Sequence, residues 1–249
     1  TPAELNRYVK VFLDAEKAKG SWEAGAQAMI ALVLASPKFI FRAEQDEIPT
    51  AKDAHPISEF ALASRLSYFL WGSMPDDELF QLAYAKKLSA NLEAQARRLL
   101  KDPRSRYLTE GFGLQWLQLR QLSTVSPDPT MFPGFNDAVR TSMVKETELF
   151  FAEIVREDRS VLDLIDADFT YLDRNLANFY GINVDFGRGR NRGEFVRVTL
   201  PKGERGGILT HASILTATSN PTRTSPVKRG KWILEQILGS PPPPAPPSV

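Results

Sequence analysis

Glu146 and Glu153 lie seven residues apart, two turns along one face of a helix, with Phe150 between them on the same face. Two carboxylates so placed fit a paired acid and base, or an oxygen-ligand site with Asp166 or Asp168 nearby, provided that one of them has a raised pKa. The plainer reading is an internal ion pair or a solvated rim. If the face is buried, Glu146 needs a partner such as an arginine, because an unpaired buried charge is costly.

The most unusual stretch runs Ser219-Asn220-Pro221-Thr222-Arg223-Thr224-Ser225-Pro226-Val227-Lys228-Arg229-Gly230. Its prolines, Asn220 and hydroxyl residues predict a rigid turn, after which Ser225 caps a helix carrying Lys228 and Arg229 at its start. Cations at a helix N-terminus are locally uphill unless something negative sits beside them. Structurally, Arg223 and Arg229 would pair with Glu146 or Asp168 and clamp the last helix down. Functionally, Asn220, Arg223, Lys228 and Arg229, with Arg65, are the candidates for holding an anion or a partner: a carboxylate, a phosphate or a haem propionate of a neighbour.

The remaining signals are weaker. His55 precedes a proline in a linker and reads as solvated. His211 falls in a predicted helix with no carboxylate or second histidine at i+3 or i+4, so it reads as a packed helix residue and no metal site is expected. No G-x-S-x-G elbow is present, which disfavours serine hydrolysis. Gly187 to Gly193 has the look of a phosphate loop without its preceding strand or Lys-Ser/Thr ending, and reads as a solvated loop.

These residues sit in a chain of 249, with 31 Lys and Arg against 30 Asp and Glu, two His, 18 Pro and no Cys. So balanced a charge makes nucleic acid a poor partner. Without cysteine the residues form no disulfide, no thiolate metal site and no C-x-x-C-H haem attachment, so no cofactor is expected on this chain. The richest apolar run, Ala26 to Ala35, suits a buried helix and not a membrane span, which leaves peripheral membrane association open. Thr1-Pro2 lacks the features of a signal peptide, and the expectation is a processed chain or an interior piece.

Caps and apolar periodicity predict an all-α fold, a multi-helix bundle of nine or ten helices. The segments are a helical hairpin at 1–45, a central helical domain at 56–182, a C-terminal helical segment at 203–240 and a Pro-rich spacer at 241–249. Helices are expected at 2–19, from Ser21 to Ala35 (buried on most sides), from Ser58 to Gly72, at 136–157 behind Asn136, at 173–180 between Asp173 and Gly181, at 204–217, and from Ser225 to Gly239. Residues 39–41 look extended, and a short strand-like excursion near 194–200 places Val196, Val198 and Leu200 on one side.

The motifs Ala63 to Trp71 with Pro75 to Leu79, Glu146-Thr147, Asp168 to Tyr171, Leu176-Ala177 with Tyr180-Gly181, and Thr218 to Gly230 resemble the planctomycete-type domains of unknown function. Those occur in large exported proteins, often in chains that also hold a c-type cytochrome domain. The resemblance implies a periplasmic or extracellular location and an association with haem electron transfer. It supplies no reaction, and it places any haem c on another portion or a partner. The leading expectation is therefore a non-catalytic helical scaffold or docking module of a c-type cytochrome-associated redox protein or electron-transfer assembly. The alternatives are an exported enzyme acting on a polymer such as a polysaccharide through Glu146 and Asp168, with Arg223 facing the same cleft, and a peripheral periplasmic subunit of a membrane electron-transfer complex.

Overall fold

In the computed structural model, which describes residues 2–42, 44, 48, 50, 53–187, 194–201 and 203–243, helices form where capping residues and apolar stripes coincide. The chain divides into two compact units, Thr1–Ala61 and Leu62–Val249.

The smaller unit is a hairpin of α1 (Pro2–Lys19) and α2 (Trp22–Leu34) followed by the short α3 (Pro37–Ile40). Gly20 turns the chain at φ +70°, and Ser21 caps α2 by accepting the Ala24 N–H at 3.3 Å. Gly25 allows the helices to approach: a Cβ there would lie 2.8 Å from the Phe12 carbonyl oxygen. Two points differ from expectation. Residues 39–41 are not all extended, because Ser36 caps and Pro37 occupies the first helical position, which outweighs the strand preference of Phe39 and Ile40. In α2 only Gly25 is buried, while Ile30 and Leu34 stay about half exposed. A two-helix hairpin covers one stripe of each helix and leaves the rest of an all-apolar helix open.

The larger unit begins within α4 (Glu59–Trp71) and continues with α5 (Asp77–Tyr84) and α6 (Leu92–Lys101), around a core of Ala63, Leu70, Leu79, Leu88 and Leu99. Asp76 caps α5 and also takes Arg98 in a two-pronged ion pair at 2.7 and 3.0 Å. A π-turn at Leu108–Gly113 leads into the short α7 (Leu114–Trp116) and a 3₁₀ turn at Leu119–Thr124.

The axis of this unit is α8 (Asp137–Arg156). Asn136 caps it by accepting the Val139 N–H at 3.0 Å, and it buries Val139, Met143, Glu146, Thr147, Phe150, Phe151, Glu153 and Ile154. Around it lie α9 (Asp163–Asp166), the strand β1 (Phe169–Leu172), α10 (Arg174–Tyr180) between Asp173 and a left-handed Gly181, and β2 (Val196–Thr199). The strands pair antiparallel in the register Phe169 to Thr199 and Leu172 to Val196. The fold is thus mainly α, with a two-stranded sheet whose second strand coincides with the expected excursion and whose first strand the periodicity did not reveal. Four residues of β1 are too few to show alternation beside a helix-rich context.

The region 204–217 is not one helix. Gly207 sits at φ +56°, where a Cβ would come within 2.3 Å of the Ile165 carbonyl oxygen. A 3₁₀ turn at Ile208–Thr210 follows, and α11 (Ala212–Ala217) begins only after His211, whose backbone is extended. The last helix is α12 (Pro226–Trp232), capped by Ser225 and continued by a π-turn at Ile233–Ile237 before Gly239 at φ +58°. One core joins both stretches: Leu117, Phe150 and Phe169 pack with Ile208, Ile214 and Trp232. Two tryptophans stitch it reciprocally, Trp116 donating to the Gln236 carbonyl at 2.7 Å and Trp232 to that of Leu117 at 3.3 Å. Of the Gly/Arg loop, residues 188–193 lie outside the described residues, as do 244–249 of the Pro-rich spacer; 241–243 have no regular structure.

Candidate functional site

The carboxylates of α8 reach the interior in two different settings. Glu146 is 1% exposed and has no ion pair among the described residues. Thr170 on β1 donates to its Oε1 at 2.7 Å, and Tyr180 at the end of α10 donates to its Oε2 at 2.6 Å. Tyr180 in turn accepts the Ala212 N–H at 2.8 Å, and Arg205 lies over its ring at 3.9 Å. Burial pushes the Glu146 carboxyl up to about 7, against the pull of these two hydroxyls and of Arg205.

The hydrogen-bond chain continues beyond Thr170. Thr170, which donates its one hydrogen to Glu146, lies 3.5 Å from His211 Nε2. His211 Nδ1 is hydrogen-bonded to the Thr147 hydroxyl at 2.9 Å, and that hydroxyl to Ser213 at 2.7 Å. Burial, with Arg205 adding to it, holds the imidazole near 3, so it stays neutral. The ring packs edge-on against Phe150, centroids 4.9 Å apart.

Glu153 is paired instead. It accepts from the Tyr171 hydroxyl, from Arg197 Nε at 3.1 Å and from Arg159 at 3.4 Å. Burial acts to raise this carboxyl, but Tyr171 and the two arginines outweigh it and leave it below its ordinary value. Two carboxylates with pKa values pushed apart form the pattern of an acid and a base. Here Phe150, fully buried against Phe169 at 5.0 Å, stands between them along the same helix face. Seven helical residues separate their backbones by about 10 Å, and Glu146 itself is buried.

The remaining residues singled out in the sequence are distributed as follows. Asp168 is exposed and contributes its carbonyl, which accepts the Leu200 N–H at 2.6 Å; its side chain is not brought to Glu146. Arg65 is exposed on α4. His211 is packed, as read from sequence, but as the residue that starts α11 and not within a helix. Among the described residues no three of His, Asp and Glu gather as metal ligands.

The expected clamp of Arg223 and Arg229 on Glu146 or Asp168 does not form, because Glu146 is satisfied by hydroxyls and Asp168 faces outward. Arg229 instead reaches Thr218 at 3.3 Å, Thr224 at 3.2 Å, and Ser219 and the Leu215 carbonyl at 3.5 Å, all neutral acceptors at the long end of hydrogen bonding. Arg223 is exposed, and Asn220 pairs with its backbone across a turn at 2.9 and 3.4 Å. Lys228 is exposed, its N–H held by the Ser225 cap. Asn220, Arg223 and Arg229 line a single surface pocket of about 200 Å³, whose other walls include Val125, Phe132, Phe135, Phe179 and Leu215; neither Arg65 nor Lys228 lines it.

Sequence reasoning did not assign roles to Thr147, Thr170, Tyr180 and Ser213, nor to the aromatic wall of the pocket. A signal was present: Glu146-Thr147, Asp168 to Tyr171 and Tyr180-Gly181 are the motifs that carried the family resemblance, and their polar members converge on one buried chain of hydrogen bonds.

Comparison with protein-family models gives two matches. The PSD4 model, a protein of unknown function (DUF1592), covers residues 57–182, and the PSCyt3 model, a protein of unknown function (DUF1588), covers residues 205–249. No curated protein and no solved structure matches the chain. With just over half of its length matched by the first model, over the stretch that supplies Glu146, Thr170 and Tyr180, the chain belongs to the DUF1592 family of proteins of unknown function.

Proposed function

We propose that the chain is a non-catalytic helical docking module of an exported redox protein or electron-transfer assembly that contains a c-type cytochrome. The observation that carries the non-catalytic part is the fate of Glu146. The carboxylate best placed for acid and base work is sealed in the core, divided from Glu153 by Phe150 and held by Thr170 and Tyr180. The cytochrome part draws on the motif resemblance and on the name of the PSCyt3 family model, which matches residues 205–249. On this reading the haem belongs to another portion or to a partner, and the assembly works in the periplasm or outside the cell. The docking part draws on Asn220 and on Arg223, Lys228 and Arg229, three cations with no ion pair to a carboxylate among the described residues. No helix among the described residues is long and apolar enough to cross a membrane.

The test is to purify the full-length gene product from its own cells and record a reduced-minus-oxidised spectrum. The expected result is c-type haem absorbance, either in the product itself or in a cytochrome that co-purifies. Haem in neither would overturn the reading.

A further inference from the structure

The pocket beneath Arg223 and Arg229 has a definite chemical character. Its apolar lining is Val125, Phe132 and Phe135 from the stretch before α8, Phe179 of α10 and Leu215 of α11, largely aromatic, with Phe132 and Phe179 themselves partly open to solvent. Its rim is Asn220, Arg223, Thr224 and Arg229, and no Asp or Glu lines it. Arg229 reaches only neutral acceptors and Arg223 forms no ion pair among the described residues, so an anion held by both gains from two cations. Sulfate or phosphate would use the arginines but leave the aromatic floor unused. A hydrocarbon would use the floor and leave the arginines unanswered.

The site is also preformed. Arg140 donates to the Ser123 and Val125 carbonyls at 3.1 and 3.0 Å and lies over the Phe135 ring, which fixes one wall. Pro221 occupies the turn between Asn220 and Arg223, and its carbonyl accepts the Asp128 N–H at 2.9 Å, tying the rim to the opposite loop. Little backbone ordering is left to be done on binding. The size limits the guest, since about 200 Å³ is below the roughly 300–1,000 Å³ of drug-sized sites.

We infer that this pocket binds a carboxylate borne on one compact apolar group, of the size of a phenylpropionate, with the carboxylate between Arg223 and Arg229 and the apolar body against Phe132, Phe135 and Phe179. The inference rests on the reading of the Asn220 to Arg229 corner as a binding site and names what that site takes. The same chemistry is offered by a free small acid and by the last residue of a polypeptide ending in phenylalanine.

The experiment is calorimetric titration of the 249-residue chain with 3-phenylpropionate, with its uncharged amide, with a hexapeptide ending in phenylalanine as the free acid or the amide, and with sulfate. Saturable one-to-one binding is expected for at least one of the two carboxylates. Its uncharged counterpart and the Arg223→Gln, Arg229→Gln double variant are each expected to bind at least tenfold more weakly. If the double variant fails to fold, Arg223→Gln alone carries the test, because that side chain is exposed; a threefold or greater loss is expected. The stronger carboxylate identifies the source, free acid or chain terminus. Equal binding of acid and amide, equal displacement by sulfate, or saturation by neither carboxylate would overturn the inference. Failure here with a cytochrome still co-purifying would leave the docking reading standing, and carboxylate binding with no haem in the full-length product would do the reverse.

Discussion

The buried Glu146 makes an unusual demand on the pH dependence of stability. Its carboxyl titrates at about 7 in the folded chain and near its ordinary 4.5 when unfolded. Between those values the folded state holds more proton than the unfolded one, so its contribution to stability is fully present below pH 4.5 and is lost as the pH rises toward 7. At about 1.4 kcal/mol per pH unit of separation, the loss is about 3 kcal/mol. His211 works in the other direction: with its folded value near 3 against an ordinary 6.5, it adds stability as the pH rises between those limits. In the wild type the two effects oppose each other from pH 4.5 to 6.5. Glu146→Gln removes only the first, because glutamine stays neutral throughout. Urea unfolding of both proteins at pH 4.5, 5.5, 6.5 and 7.5 isolates it as the difference between their unfolding free energies, in which His211 and the surface groups cancel. That difference is expected to move against the wild type by about 3 kcal/mol over the range. A difference that stays flat, or that moves in favour of the wild type as the pH rises, would refute the view of Glu146 as a buried carboxyl stabilised in its protonated form.

Three further outcomes follow from single contacts. Tyr180→Phe leaves the Ala212 N–H without its acceptor and removes one of the two donors to Glu146; a loss of about 1–3 kcal/mol is expected by urea unfolding. Its size is expected to grow above pH 7, where Glu146 is ionised. Gly207→Ala would force a Cβ to within 2.3 Å of the Ile165 carbonyl at a positive φ, so the variant is expected to lose the cooperative thermal transition or melt far below the wild type. Asn136→Ala removes the cap of α8 and is expected to cost about 1 kcal/mol by thermal unfolding, with the fold retained.

How much of this was legible depends on how local the signal is. The caps Ser21, Ser58, Asp76, Asn136 and Asp173 start helices where their side chains can reach an N–H three residues on, a relation contained within a few residues of sequence. The break at His211 is not local: Gly207 adopts its conformation because the Ile165 carbonyl lies against it, some forty positions away. The same holds for β1, whose existence depends on Val196 to Thr199 arriving alongside. At the site, the need of Glu146 for a partner followed from burial alone. That the partners are Thr170 and Tyr180 and not arginines depends on how β1 and α10 cross α8, which no spacing encodes. Arg223 and Arg229 stood out because their charges sit badly at a helix start, but the aromatic floor beneath them comes from Phe132, Phe135 and Phe179, residues that in sequence look like ordinary core.

The reciprocal tryptophan bonds bear on heredity. Trp116 lies in the stretch matched by one family model and reaches Gln236 in the stretch matched by the other, while Trp232 reaches back to Leu117. Phe150 and Phe169 from the first stretch share one core with Ile208, Ile214 and Trp232 from the second. The border between the two matched stretches therefore divides a text and not an object. A gene that carried residues 57–182 without 205–249 would encode an open core, with Phe150, Phe169 and Leu117 exposed where Ile208, Ile214 and Trp232 now cover them.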